Sequence, residues 1–62
     1  MNNLYKIKIH HPEGTSYFYN HTGYSKLGYA KAKCTRMSRY LPNRTYTIEE
    51  YQLNLVAIHT VQ

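Results

Sequence analysis

The chain has 62 residues, a formal net charge of +5 and a single cysteine. This length allows one domain, residues 1–62, and one cysteine excludes an intrachain disulfide. Eight tyrosines and a hydrophobic fraction of 42% exclude a disordered basic tail. No apolar run is long enough to cross a bilayer, and the first residues lack the apolar segment of a signal peptide. We therefore expect a cytoplasmic domain with no membrane partner.

The first predicted element is a strand over residues 4–10, where apolar and polar residues alternate. One face of this strand carries Tyr5, Ile7 and Ile9, and the other carries Lys6, Lys8 and His10. Turn chemistry follows at residues 12–15, and the aromatic residues 16–20 favour a second strand. The two strands are predicted to form a hairpin.

The register of this hairpin has two alternatives. A four-residue loop pairs Ile9 with Phe18 and turns Phe18 inward, so that Tyr17 and Tyr19 join the lysines outside. A three-residue loop pairs Ile9 with Tyr17 and reverses the faces of the second strand. We prefer the four-residue loop, because a buried Phe18 has no hydroxyl that needs a partner.

A helix is predicted over residues 25–41, with Ser25 as its N-cap and Pro42 after its end. Apolar residues recur there at steps of three and four and define one buried stripe: Leu27, Ala30, Cys34, Met37 and Leu41. Five of the eight lysines and arginines lie on this helix. A flank beside the stripe carries Lys26, Tyr29, Lys33, Arg36 and Tyr40, and Arg39 lies further round.

The last third of the chain, residues 44–61, has strand composition. A bend or bulge near residues 49–50 is one interpretation. The pattern of residues 47–50 also matches a capping box, which would begin a short helical turn over residues 47–53. The sequence therefore predicts an α+β fold of order β-β-α-β, with a fourth strand as an option. We expect the first strand inside a small antiparallel sheet and the helix on one sheet face.

The region between Gly14 and Ile48 contains six lysines and arginines and no acidic residue. Cations attract phosphates and acidic protein surfaces, and tyrosines supply flat, half-polar contact area. The predicted binding surface on the helix is Lys26, Tyr29, Lys33, Arg36, Arg39 and Tyr40. A second patch, Lys6, Lys8, Tyr17 and Tyr19, is expected on the exposed face of the sheet.

Catalytic and metal sites are not predicted. The histidines are His10, His11, His21 and His59. Neighbouring strand residues point apart, so His10 and His11 do not converge on one ion, and no set has zinc spacing. Cys34 lies in the apolar stripe and is expected to be buried. Glu49 and Glu50 are expected to pair with Arg44 or a helix cation, or to act at a helix N-terminus, rather than form an acid–base pair. We expect no enzyme and no cofactor.

Residues 53–61 are apolar on both strand faces. One face carries Val56 and Ile58, and the other is the predicted interface: Leu53, Leu55, Ala57 and Val61. A homodimer or a target protein would cover it, or the segment would bend and bury both faces itself.

The charge and the missing motifs together favour a small non-enzymatic binding protein. We predict an inhibitor or adaptor for an acidic or nucleic-acid-binding host protein, of the kind that phages and mobile elements encode. The alternative is a sequence-independent nucleic-acid-binding accessory protein.

Overall fold

A computed structural model of the chain describes residues 3–19 and 23–61. The elements in these ranges follow the order β-β-α-β-β. They are β1 (Leu4–His10), β2 (Ser16–Phe18), α1 (Leu27–Tyr40), β3 (Thr45–Tyr51) and β4 (Leu55–Val61). The predicted α+β fold is confirmed, with the optional fourth strand present.

The sheet has the order β2-β1-β3-β4, and every pair of neighbouring strands is antiparallel. The first strand is therefore internal, as predicted. Just before the helix, Tyr24 pairs with Tyr5 of β1. The N–H of Tyr5 donates to the carbonyl of Tyr24 at 2.9 Å, and the N–H of Tyr24 donates to the carbonyl of Tyr5 at 2.7 Å. The approach is close at Gly23, because a Cβ there would lie 2.5 Å from the side chain of Leu4.

The C-terminal third is a hairpin of two strands rather than one long strand. The chain reverses at residues 52–54, where the N–H of Gln52 donates to the carbonyl of Asn54 at 3.1 Å. The pairing register shifts between Glu50 and Tyr51, which is the bulge expected near this point. The alternative of a helical turn over residues 47–53 is wrong.

The helix begins one residue later than predicted. Lys26, not Ser25, is the N-cap, and no side chain caps the first turn. At the other end the N–H of Leu41 donates to the carbonyl of Met37 at 2.8 Å, and Pro42 follows. The predicted stripe is confirmed, because Ala30, Cys34 and Met37 are buried and Leu27 packs at the core edge.

The core lies between α1 and one face of the sheet. The sheet contributes Ile7, Ile9, Tyr46 and Ile48. Tyr46 is accommodated because its hydroxyl donates to the carbonyl of Leu41 at 3.1 Å, at the end of the helix. No described element covers the opposite sheet face, which we call the open face.

The hairpin register differs from our preference. Lys8 pairs with Phe18 and Ile9 with Tyr17, so Phe18 lies on the open face and is 41% exposed. The turn explains the result. Gly14 has a φ of +105° and its N–H donates to the carbonyl of His11 at 3.0 Å. That geometry closes a three-residue loop, because glycine accepts positive φ without strain.

Candidate functional site

The helix surface predicted to bind a partner is exposed. Tyr29 is 58% exposed and Tyr40 is 77% exposed, and Lys26, Arg36 and Arg39 are also exposed. Lys33 is half-buried. We call this set the basic helix surface: Lys26, Tyr29, Lys33, Arg36, Arg39 and Tyr40.

No carboxylate of the described residues neutralises the basic helix surface. The two ion pairs within residues 3–19 and 23–61 join Lys8 to Glu49 and His59 to Glu50. The remaining acidic residue, Glu13, accepts a hydrogen bond from Thr15 in the first turn. The positive field of the helix is therefore directed at solvent.

Two tyrosine rings lie under lysine ammonium groups on the helix side of the molecule. Lys26 Nζ is 5.6 Å from the centroid of the Tyr29 ring, and Lys33 Nζ is 5.4 Å from that of Tyr19. Contacts of this length are cation–π interactions. The second contact joins Tyr19, beyond the end of β2, to the basic helix surface.

A shallow depression lies on the outer side of the helix. Its volume is about 310 Å³, and Ala32, Thr35, Arg36 and Arg39 line it. Each of the two arginines carries five N–H donors, and Ala32 is the apolar residue of the lining. Such a depression can receive a carboxylate or a phosphate group from a partner.

The second predicted patch is divided between the two sheet faces. Tyr17 and Tyr19 lie on the helix side, whereas Lys6 and Lys8 lie on the open face, so the prediction that they share a face is wrong. The lysines are instead beside Phe18, with Nζ atoms 5.2 and 5.3 Å from its ring centroid. The three-residue loop is the cause, because it exchanges the faces of β2.

The acidic residues pair differently from the prediction. Glu49 is nearly buried on the open face, where Lys8 Nζ lies 3.7 Å away and the hydroxyl of Tyr51 donates to the carboxylate. The hydrogen bond with Glu49 raises the pKa of the Tyr51 phenol. Arg44 pairs with neither glutamate, and its Nε is buried without a hydrogen-bond partner in the described residues.

The histidines lie apart from one another. His10 Nε2 is 2.8 Å from Thr47 Oγ1 on the open face, while the His11 ring is 5.3 Å from the Tyr17 ring, centroid to centroid. Their predicted divergence is confirmed. His59 bonds Glu50. His21 lies outside the described residues, among which no three ligand side chains could hold a metal ion.

Cys34 is fully buried in the helix stripe, as predicted. Burial raises the pKa of its thiol to about 11. A reactive cysteine needs the opposite, an exposed thiol with a lowered pKa. The residue therefore acts as a small apolar side chain in the core.

The predicted C-terminal interface is also divided. Leu53 is 89% exposed in the turn before β4, whereas Val61 packs against the core and Ala57 is half-buried. The exposed apolar residues of β4 that the interface prediction left out are Val56 and Ile58, at 52% and 58%. Side chains alternate between the two faces of a strand, so the positions of Val56 and Ile58 on either side of Ala57 could have indicated that they share a face opposite to that of Ala57.

Comparison with models of protein families, with curated proteins and with solved structures finds no match for this chain. The one helix in the described part of the chain is too short and too polar to span a membrane.

Proposed function

We propose that this protein is a non-enzymatic binding protein that docks its basic helix surface onto an acidic surface of a larger protein. It acts there as an inhibitor or adaptor, in the cytoplasm of the cell. One observation carries the proposal: the helix cations have no carboxylate partner in the described residues, and exposed tyrosines lie among them. Arginine and tyrosine are the residue types enriched at the energetic centres of protein interfaces.

At Tyr29 and Tyr19 the arrangement of the rings favours a protein partner over single-stranded nucleic acid. A base stacks on the open face of an aromatic ring. Lysine ammonium groups already lie over one face of Tyr29 and of Tyr19. Tyr40, the most exposed tyrosine, has no such contact in the described residues. Its open ring suits a stacked base as well as a protein, and its ring and hydroxyl together supply the mixed apolar and polar contact that protein interfaces use.

The alternative is sequence-independent binding to nucleic acid through the same cations. The observation that favours it is again the unneutralised charge of the helix, since each phosphate contact releases counterions. This alternative needs no stacking, only Lys26, Arg36 and Arg39 against a phosphate backbone.

The test compares two charge reversals on the same helix. Arg36→Glu changes the basic helix surface, and Lys31→Glu changes another exposed residue, on the opposite flank of the helix. Each tagged chain is used to capture proteins from a nuclease-treated lysate of the source cells. We expect a stoichiometric acidic partner with the unchanged chain and with Lys31→Glu, and loss of that partner with Arg36→Glu. Tyr40→Ala should weaken the purified complex at least about tenfold.

The outcomes separate the two functions. Capture that both charge reversals leave unchanged excludes the basic helix surface as the docking site. No partner, together with binding to short DNA or RNA that weakens steeply with salt, supports the nucleic-acid alternative. Neither kind of binding, at low ionic strength, excludes both functions.

A further inference from the structure

The depression on the outer side of the helix is lined by residues that recur with helical spacing. We call it the arginine depression, and its lining is Ala32, Thr35, Arg36 and Arg39, all of them exposed. Residues at steps of three and four lie on one face of a helix. The buried residues of the helix lie on its other side, against the sheet. The arginine depression therefore opens to solvent.

Neither arginine of the depression has an ionic or aromatic partner within residues 3–19 and 23–61. The ion pairs there belong to Lys8 and His59, and the cation–π contacts all belong to lysines. Arg36 and Arg39 are about one turn apart, and like charges at this spacing destabilise a helix. An anion between the two guanidinium groups removes that repulsion. The depression is therefore complementary in charge to an anion.

The donors at the depression are suited to a planar anion. Each guanidinium group presents its N–H donors in a rigid fork, which matches the two oxygens of a carboxylate. The hydroxyl of Thr35 donates to the carbonyl of Lys31 at 3.0 Å, so its proton is already used. Ala32 offers a methyl group, which can contact the CH₂ groups of an acidic side chain. Recognition there depends on the arginine fork as well as on charge.

The position of the depression on the helix favours a carboxylate over a phosphate. Helices that bind phosphate use the free backbone N–H groups of the first turn. The arginine depression lies in the second half of α1, where backbone N–H groups bond within the helix. The C-terminal end of a helix also carries a negative partial charge, which opposes a doubly charged phosphate monoester more strongly than a carboxylate.

The size of the depression suits one side chain. Its volume of about 310 Å³ is at the lower end of the range for ligand pockets, about 300–1,000 Å³. An extended acidic side chain fits such a space, with its CH₂ groups toward Ala32 and its carboxylate toward the two arginines.

We propose that the arginine depression receives one glutamate or aspartate side chain of the partner protein, with Arg36 and Arg39 both donating to its carboxylate. This inference rests on the proposed function, an acidic protein partner, and names the contact that positions that partner. The positive field attracts any acidic surface, whereas the forks hold one carboxylate in place. Replacement of arginine by lysine separates the two effects, because it keeps the charge and removes the fork.

The probe is a hexaglutamate peptide with blocked ends, and its binding to the purified chain at low ionic strength is followed by heteronuclear NMR. The chain has three arginines. The Nε–H signals of Arg36 and Arg39 report on the depression, and that of Arg44 is an internal control. A peptide of equal net charge with phosphoserine in place of glutamate is titrated in parallel.

Four variants are compared with the unchanged chain. Arg36→Lys and Arg39→Lys keep the charge of the depression, and Ala32→Leu fills it without a change of charge. Lys26→Gln is the matched control, because it removes one exposed cation from the same basic helix surface. This control lies about 15 Å along the helix from Arg36. Circular dichroism checks that each variant keeps the fold.

We expect hexaglutamate to shift the Arg36 and Arg39 signals to saturation and to leave the Arg44 signal in place. Each lysine variant and Ala32→Leu should weaken binding at least about threefold. Lys26→Gln should weaken it less than about twofold, although it alone removes a charge. The phosphoserine peptide should bind more weakly than hexaglutamate.

Three results would overturn the inference. One is no binding of hexaglutamate at low ionic strength. Another is binding that the lysine variants and Ala32→Leu leave unchanged, which indicates attraction by charge alone. The third is tighter binding of the phosphoserine peptide through the same arginines, which assigns the depression to phosphate.

Failure of this inference is distinguishable from failure of the proposed function. A partner that is lost with Arg36→Glu but retained in full by Arg36→Lys and Arg39→Lys shows that the basic helix surface docks without the arginine forks. A partner that Arg36→Glu also retains removes the basic helix surface as the docking site, and the proposed function fails with it.

Discussion

His59 of β4 lies diagonally across from Glu50 of β3, with its Nε2 2.8 Å from Glu50 Oε1. Asn3 also donates to the Glu50 carboxylate, and the Tyr5 hydroxyl donates to it at 3.4 Å. This carboxylate therefore connects the beginning of β1 with both strands of the C-terminal hairpin. The hydrogen bond from His59, followed by the one from Asn3, lowers the pKa of Glu50.

Protonation of Glu50 should destabilise the fold in acid. A carboxylate whose pKa is lower in the folded state adds stability above its unfolded pKa and loses it as pH falls through the folded pKa. We expect Glu50→Gln to be less stable than the unchanged chain at pH 7, with the difference shrinking below the ordinary pKa of 4.5. Urea unfolding at a series of pH values measures this difference. Glu13→Gln, in the exposed turn between β1 and β2, is the control. A stability difference between Glu50→Gln and the unchanged chain that persists in strong acid would contradict a role for the ionised Glu50 carboxylate.

Two glycine-to-alanine changes should have opposite effects. Gly14→Ala places a side chain at a φ of +105° and should destabilise the protein by about 1–2 kcal/mol. Gly28→Ala, on the exposed side of the helix with no atom within 4 Å of the new Cβ, should stabilise it by about 0.5–1 kcal/mol. Thermal unfolding of both variants is the measurement. If both variants shift the unfolding temperature in the same direction, either the turn between β1 and β2 or the start of α1 has a different backbone geometry.

Two truncations of large apolar residues test the hairpin register. Ile48 is completely buried, and Ile48→Ala should cost about 2–5 kcal/mol. Phe18 lies on the open face beside two lysines, so Phe18→Ala should remove only its two cation–π contacts and part of its packing, about 1 kcal/mol. Urea unfolding monitored by circular dichroism compares the two. A cost at Phe18 as large as that at Ile48 would support the inward register instead.

The Cys34 thiol should react slowly in the folded protein. Burial raises its pKa from 9.0 to about 11, so the thiolate fraction at pH 8 falls about a hundredfold, and the core also blocks access. Alkylation by iodoacetamide, followed by mass spectrometry, measures the rate. The urea-unfolded chain is the control, since it should react like a free cysteine. Equally fast labelling of folded protein would place the thiol at the surface.

Local pattern predicted the helix well, because its evidence lies within a few turns of chain. Ala30, Cys34 and Met37 recur at helical spacing, and the structure buries all three. The cap was predicted less well. Ser25 has the right chemistry, but the chain is still extended at Lys26, immediately after the segment that bonds β1 through Tyr24.

Residue type alone predicted the wrong register for the β1–β2 hairpin. The preference for a buried Phe18 rests on its side chain, which has no hydroxyl that needs a partner. The loop overrides that preference, since Pro12 and Gly14 close the chain after three residues and the register follows from the loop. A change of one residue in register then moves every side chain of β2 to the other face.

The amino-acid sequence by itself determined the fold class, the buried stripe of the helix and the excess of positive charge, because each depends on neighbours close along the chain. The tertiary structure decided which of those charges act together. It placed Tyr19 beside Lys33, paired Lys8 with Glu49 and left Ile58 at an open edge. These relations depend on strand register and strand order, which bring together residues that lie far apart in the chain.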